Sequence, residues 1–137
     1  MPELDPQFAV LAGELALATS RLSVVCVGCP VVGWGEQPPP LALVPPPFDA
    51  LPLRSDKLQL VVASSGGVGF DLVVRCARAN VKEVWLLRTA EGLFERLSAP
   101  AAGRYRRRSL VLPGESVTLA ALPSVRITPL QRTSRMR

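Results

Sequence analysis

Leu58-Gln59-Leu60-Val61-Val62-Ala63, then Ser64-Ser65-Gly66-Gly67, then the stretch Val68 to Ala79, then Glu83-Val84-Trp85-Leu86-Leu87-Arg88: this succession decides the fold. The first run is apolar without alternation, the pattern of a strand buried on both faces. The Ser-Gly turn leads into a helix over about Val68 to Ala79, which Asn80 ends, and Glu83 to Arg88 is a second strand. Strand, helix and strand within about 30 residues form a right-handed βαβ crossover with two parallel strands.

Upstream, Asp5-Pro6 is a helix start, Asp as N-cap and Pro at the first helical position. Phe8, Leu11, Leu15, Ala18 and Leu22 then recur at steps of three and four, one apolar stripe. Leu22 to Val27 and Val31 to Trp34 read as two short strands. Two proline triplets, Pro38 to Pro40 and Pro45 to Pro47, bracket the short strand Leu41 to Val44, because proline cannot donate to a sheet ladder. Downstream, Leu93 to Leu97, Tyr105 to Leu112, Val117 to Leu119 and Val125 to Ile127 read as an antiparallel meander. There is no internal repeat. Helix stripe and central strands need each other's apolar faces, so Leu11, Leu15, Val61, Val62, Val84 and Leu86 are expected in one core.

A chain of 137 residues has the size of one domain, 1–137, with about 130–137 as a basic tail. With 48% apolar but only 5% aromatic residues, the core is expected to be Leu, Val and Ala rather than stacked rings. The first residues, Met1-Pro2-Glu3-Leu4-Asp5, lack the basic start and apolar run of a signal peptide, and no apolar stretch is long enough to span a bilayer. The expectation is a cytoplasmic protein with no membrane partner. The net charge of +5 is unevenly placed. From Arg104 onward eight arginines face the single acid Glu115, a local balance of +7, whereas ten acids outnumber eight bases before it. That asymmetry suits a basic edge meeting a polyanion, or else a solvated, self-repelling tail.

Without histidine, no Ser-His or Cys-His nucleophile can be assembled. Cys26-Val27-Gly28-Cys29 spells C-x-x-C, but it ends a strand and is followed by Pro30, whereas a redox pair wants a helix N-terminus. Three cysteines without histidine cannot complete a structural zinc site, so Cys26, Cys29 and Cys76 read as free thiols without metal. Ser64-Ser65-Gly66-Gly67-Val68-Gly69 sits where phosphate loops sit, yet it lacks the Lys-Ser/Thr ending of a P-loop and reads as a turn with a serine cap. Arg104-Tyr105-Arg106-Arg107-Arg108 is the sharpest cluster. On a strand, Arg104, Arg106 and Arg108 share one face, with Tyr105 and Arg107 on the other. Such a strand could track a phosphate backbone or protect a sheet edge from mispairing.

The order of these segments resembles the Uma-type family of restriction endonucleases, in the PD-(D/E)XK nuclease superfamily. Ala77-Arg78-Ala79-Asn80-Val81-Lys82-Glu83-Val84-Trp85-Leu86-Leu87 is similar to the family's A-R-A-G-V-x-E-Y-W-V-V-D. Ser64-Ser65 with Phe70-Asp71 resembles the segment upstream of it. Gly103-Arg104-Tyr105-Arg106, Leu112-Pro113-Gly114-Glu115 and Leu122-Pro123-Ser124-Val125 resemble the G-R-Y-R, x-P-G-E and L-P-x-V that follow. The likeness spans roughly residues 8 to 130. It implies a metal-binding Asp where this chain has Pro40, in the family's P-D-L-A-L, and a metal-binding Glu where it has Ala63, in L-V-V-E. It also implies a lysine that has no counterpart here, and an Asp where Arg88 stands.

The expected fold is therefore α/β: a restriction-endonuclease-like mixed sheet with a βαβ core, an N-terminal helix and a C-terminal antiparallel extension. The expected function is that of a catalytically inactive, degenerate nuclease-fold protein acting by binding, either to nucleic acid through Arg104, Arg106, Arg107 and Arg108 or to another copy of the fold, as in a dimer. No cofactor, metal ligand or catalytic residue is assigned. The alternative is a metal-dependent DNA endonuclease rebuilt from acids such as Glu14, Asp49, Asp56 or Asp71.

Overall fold

The computed structural model describes residues 6–35, 38–47, 51–64, 68–88 and 91–130. Helix α1 (Pro6–Thr19) is followed by strands β1 (Val24–Val27), β2 (Leu41–Val44) and β3 (Leu60–Ser64). Helix α2 (Val68–Arg78) then leads to β4 (Glu83–Arg88), β5 (Leu93–Ala101), β6 (Arg104–Val111), β7 (Val117–Thr118) and β8 (Arg126–Ile127). The first six strands form one sheet in chain order, while β7 and β8 make a separate two-stranded ribbon. Among the strands described, β3 and β4 are parallel, with Val61 opposite Val84 and Ala63 opposite Leu86; the other neighbours in the sheet are antiparallel. The fold is the expected mixed α/β sheet, with the crossover helix between its two parallel strands.

Asn80 ends α2 in the way its side chain allows. Its backbone is left-handed, with φ of 60°, and two bonds cap the helix: Val81 N–H to Cys76 O at 2.9 Å and Asn80 N–H to Ala77 O at 3.1 Å. That pair is the Schellman pattern, usually built on glycine and tolerated by asparagine. α1 ends earlier than its stripe predicted. The Thr19 hydroxyl donates back to Leu15 O at 2.8 Å, the chain then tightens into a 3₁₀ turn, and Leu22 is left exposed. Val31 to Trp34 is not a strand. Val31 makes an isolated bridge to Leu53, and the following residues turn, with Gly33 at φ of 81°, so that Val31 and Trp34 point inward without a ladder.

The apolar residues divide into two layers, one on each face of the sheet, rather than the single core expected from the sequence. Val61, Ala63, Val84, Leu86 and Leu97 face α2, packing with Leu72, Cys76, Val31 and Trp34. Leu41, Leu43, Leu60, Val62, Trp85, Leu87 and Phe94 face α1, packing with Phe8, Leu11, Leu15 and, from the ribbon, Leu119, Val125 and Ile127. Alternation along each central strand causes the division, since consecutive side chains go to opposite faces. All six residues expected in the core are buried, three in each layer. Rings also stack, against expectation: Trp85 and Phe94 lie with centroids 4.8 Å apart and planes at 25°. Low aromatic content limits how many rings there are, not where they meet.

Leu15→Ala and Val62→Ala remove side chains with at most 1% exposure from the α1 layer. Each is expected to cost about 1–5 kcal/mol in urea unfolding, Leu15 the more because it loses more methylenes. A loss near zero at both would mean that α1 does not cover this face.

Candidate nucleic-acid interface

The sequence likeness implies metal-binding acids at the ends of the central strands. β2 pairs with β3 through Leu41 opposite Val62, and continuing that register places Pro40 across from Ala63. Ala63 is buried in the α2 layer. Pro40 is half-buried, and its carbonyl oxygen accepts the Gly28 N–H at 3.1 Å. Magnesium is held through side-chain and water oxygens, and neither a pyrrolidine ring nor a methyl group offers one. Arg88, at the end of β4, lies 3.4 Å from Glu91 and 3.7 Å from Glu95, whose second oxygen is 3.1 Å from Arg108. Glu91 and Glu95 are thus engaged by arginines, and among the described residues Pro40 and Ala63 offer a divalent cation no side-chain oxygen.

Among the described residues, the acids that could have rebuilt such a site sit on separate elements. Glu14 belongs to α1 and Asp71 to the first turn of α2, helices on opposite faces of the sheet. Asp56 is exposed and forked by Arg54 at 3.2 and 3.0 Å. Asp49, Ser65, Gly66, Gly67 and the 131–137 part of the tail lie outside the described residues. Among the described residues there is no group of three or more His, Cys, Asp or Glu able to hold a metal ion. Cys26, Cys29 and Cys76 are free thiols.

The basic cluster occupies β6, which among the described residues is the edge of the sheet, paired with β5. Arg104, Arg106, Arg107 and Arg108 are all exposed. An extended chain sends alternate side chains to opposite sides, so arginines project from both faces of the edge. Arg108 is spanned to Glu95, the arginine exposed and the carboxylate largely covered. Tyr105 is the anchor among them: half-buried against the α2 layer, it donates its hydroxyl to Val81 O at 2.6 Å. Burial, and then the neighbouring Cys76, push its phenol above the ordinary value, so it stays a donor.

That anchor brings in residues the sequence did not single out. The β5–β6 hairpin tip sits beside the end of α2, where a Cβ on Gly103 would lie 3.9 Å from Arg78 Cγ. Arg78 and Lys82 are exposed there. Arg75, one turn earlier, gives its guanidinium to Trp34 O instead. Arg78 lies in the last turn of α2, where a basic residue by itself serves the helix dipole, and Lys82 lies four residues beyond the helix end.

The sheet order, the crossover and the two helices define a mixed α/β fold of the nuclease-like kind. Among solved structures, a "putative nuclease belonging to DUF820" from Anabaena variabilis superposes with a TM-score of 0.66, covering 93% of this chain and 80% of its own. The two are 10% identical, so the likeness is one of fold. No family model and no curated protein matches the chain. Among the described residues no helix is long and apolar enough to cross a membrane.

Proposed function

We propose that this chain is a nuclease-fold protein that works by binding rather than by cleavage, and that its basic edge takes the phosphate backbone of a nucleic acid. The observation that carries the reading is the row of exposed arginines on β6, continued by Arg78 and Lys82 at the end of α2. Oriented guanidinium groups on a rigid strand suit phosphate oxygens, and release of condensed counterions supplies the free energy. The loss of side-chain oxygens at Pro40 and Ala63 supports binding without hydrolysis, since metal-assisted cleavage needs the cation those oxygens would hold. Pairing with a second copy along β6 is less favoured, because antiparallel strands would set arginine against arginine.

Titration of a labelled nucleic acid at several salt concentrations tests this. Affinity should fall steeply as salt rises, and Arg106→Ala with Arg107→Ala should flatten the logarithmic slope by about 2. No binding at low salt would remove the proposal and leave edge protection as the role of the arginines. In the same preparations Mg²⁺ or Mn²⁺ should produce no nicking of DNA or RNA. Nicking that survives purification and vanishes in an Asp49→Ala, Asp56→Ala, Asp71→Ala variant would show a rebuilt catalytic site.

A further inference from the structure

Cys26 and Cys29 are neighbours in space as well as in sequence. Cys26 lies in β1 and is buried in the α2 layer with Val31, Trp34 and Leu53. The chain then turns at Gly28, whose φ of 64° is the left-handed value a tight return requires and whose amide is pinned to Pro40 O. This return lays Cys29 against the same layer, half-buried, with its Sγ 3.8 Å from Val27 O. Both thiols therefore pack against one apolar layer, three residues apart across the turn. We propose that Cys26 and Cys29 form a reversible dithiol–disulfide pair, oxidised by small disulfides of the glutathione class.

A disulfide needs Cα atoms within about 7 Å and side chains that converge. The turn at Gly28 and the shared apolar layer favour both. The more accessible thiol, Cys29, is the point of entry. Cys26 is shielded, and burial together with Cys29 pushes its thiol up to about 11, so it stays protonated until a partner is in place. The Cys29 thiolate attacks one sulfur of the small disulfide, whose S–S bond breaks and releases one small thiolate. Cys26 then loses its proton to solvent and attacks the Cys29 sulfur; the second small thiolate leaves and the Cys26–Cys29 bond forms. Two electrons pass from the protein to the small disulfide, which ends as two thiols. With the motif at a strand end, no helix dipole stabilises the reduced thiolate, so the pair is a sensor or clasp rather than a strong oxidant. Cys76 is buried in α2 and takes no part.

The experiment incubates the folded, reduced protein with oxidised glutathione, quenches with acid, and reads intact mass, peptide map and free thiols. The expected product has lost the mass of two hydrogens, carries a Cys26–Cys29 link and retains one free thiol, and dithiothreitol reverses it. Cys76→Ser should still close. Cys29→Ser should not close, and Cys26→Ser should accumulate a glutathione adduct on Cys29 that no second thiol resolves. A stable adduct in the wild type, a link through Cys76, a disulfide-bonded dimer, or three unmodified thiols at equilibrium would each overturn the proposal. Circular dichroism of the variants separates failure to close from failure to fold.

Discussion

Glu83→Ala lowers the stability of the protein by about 3–5 kcal/mol, seen as an earlier midpoint in denaturant at unchanged slope. Glu83 has no exposed surface. One carboxylate oxygen accepts the Trp85 indole N–H at 2.9 Å and the Arg96 guanidinium, and the other accepts the Ala120 N–H at 2.9 Å. Arg96 donates onward to Thr118 O at 2.7 Å. A single buried carboxylate therefore fastens β4 to β5 and both to the β7–β8 ribbon. Truncation strands three donors at once, one of them a charged group only a quarter exposed. Arg96→Ala should cost nearly as much, because it leaves the carboxylate buried against neutral donors. Glu83→Gln, which keeps an acceptor, should cost less than either. A loss below about 1 kcal/mol for Glu83→Ala would mean that the ribbon is held by its apolar contacts alone.

Phe94→Ala is expected to cost about 3–5 kcal/mol. The ring is fully buried, stacks on Trp85 and fills the middle of the α1 layer. The fixed indole cannot shift into the gap, since its N–H is tied to Glu83, so the cavity should persist. Phe94→Leu restores most of the apolar volume and should lose chiefly the stacking, about 0.5–1.5 kcal/mol. The near-ultraviolet dichroism of Trp85 should weaken in both variants. Equal losses for Ala and Leu would show that ring geometry, not filled volume, sets the cost.

The βαβ unit was legible because each of its parts carries a local signal: an unalternating apolar run, a capping asparagine, a second apolar run. The arginine strand was legible for the same reason. What escaped was set by distant partners. The burial of Glu83 inside an apolar strand carries no local signal, because its partners Arg96 and Ala120 lie 13 and 37 residues away. Val31 and Trp34 carry strand-like composition but fill the α2 layer from a turn. Leu22 continues the α1 stripe on paper, yet Ser20 with φ of 51° ends the helical path before it. Arg78 and Lys82 join the basic edge only because the β5–β6 hairpin reaches the end of α2. Pro40 and Ala63 were brought to notice by family likeness alone, and the strand register then set them side by side.

Because the strands of the sheet lie in chain order, a growing polypeptide can add each one to a neighbour already made, with the α2 crossover between the parallel pair. Non-local closure is the slow part of folding, and here the strand pairings are deferred to no later stage. The α1 face is different. The first helix is packed against the last strand, and Leu119, Val125 and Ile127 help to cover the layer that Phe8, Leu11 and Leu15 begin. During synthesis that side of the sheet stays partly open to water until the ribbon has left the ribosome, and it is the surface a chaperone would meet.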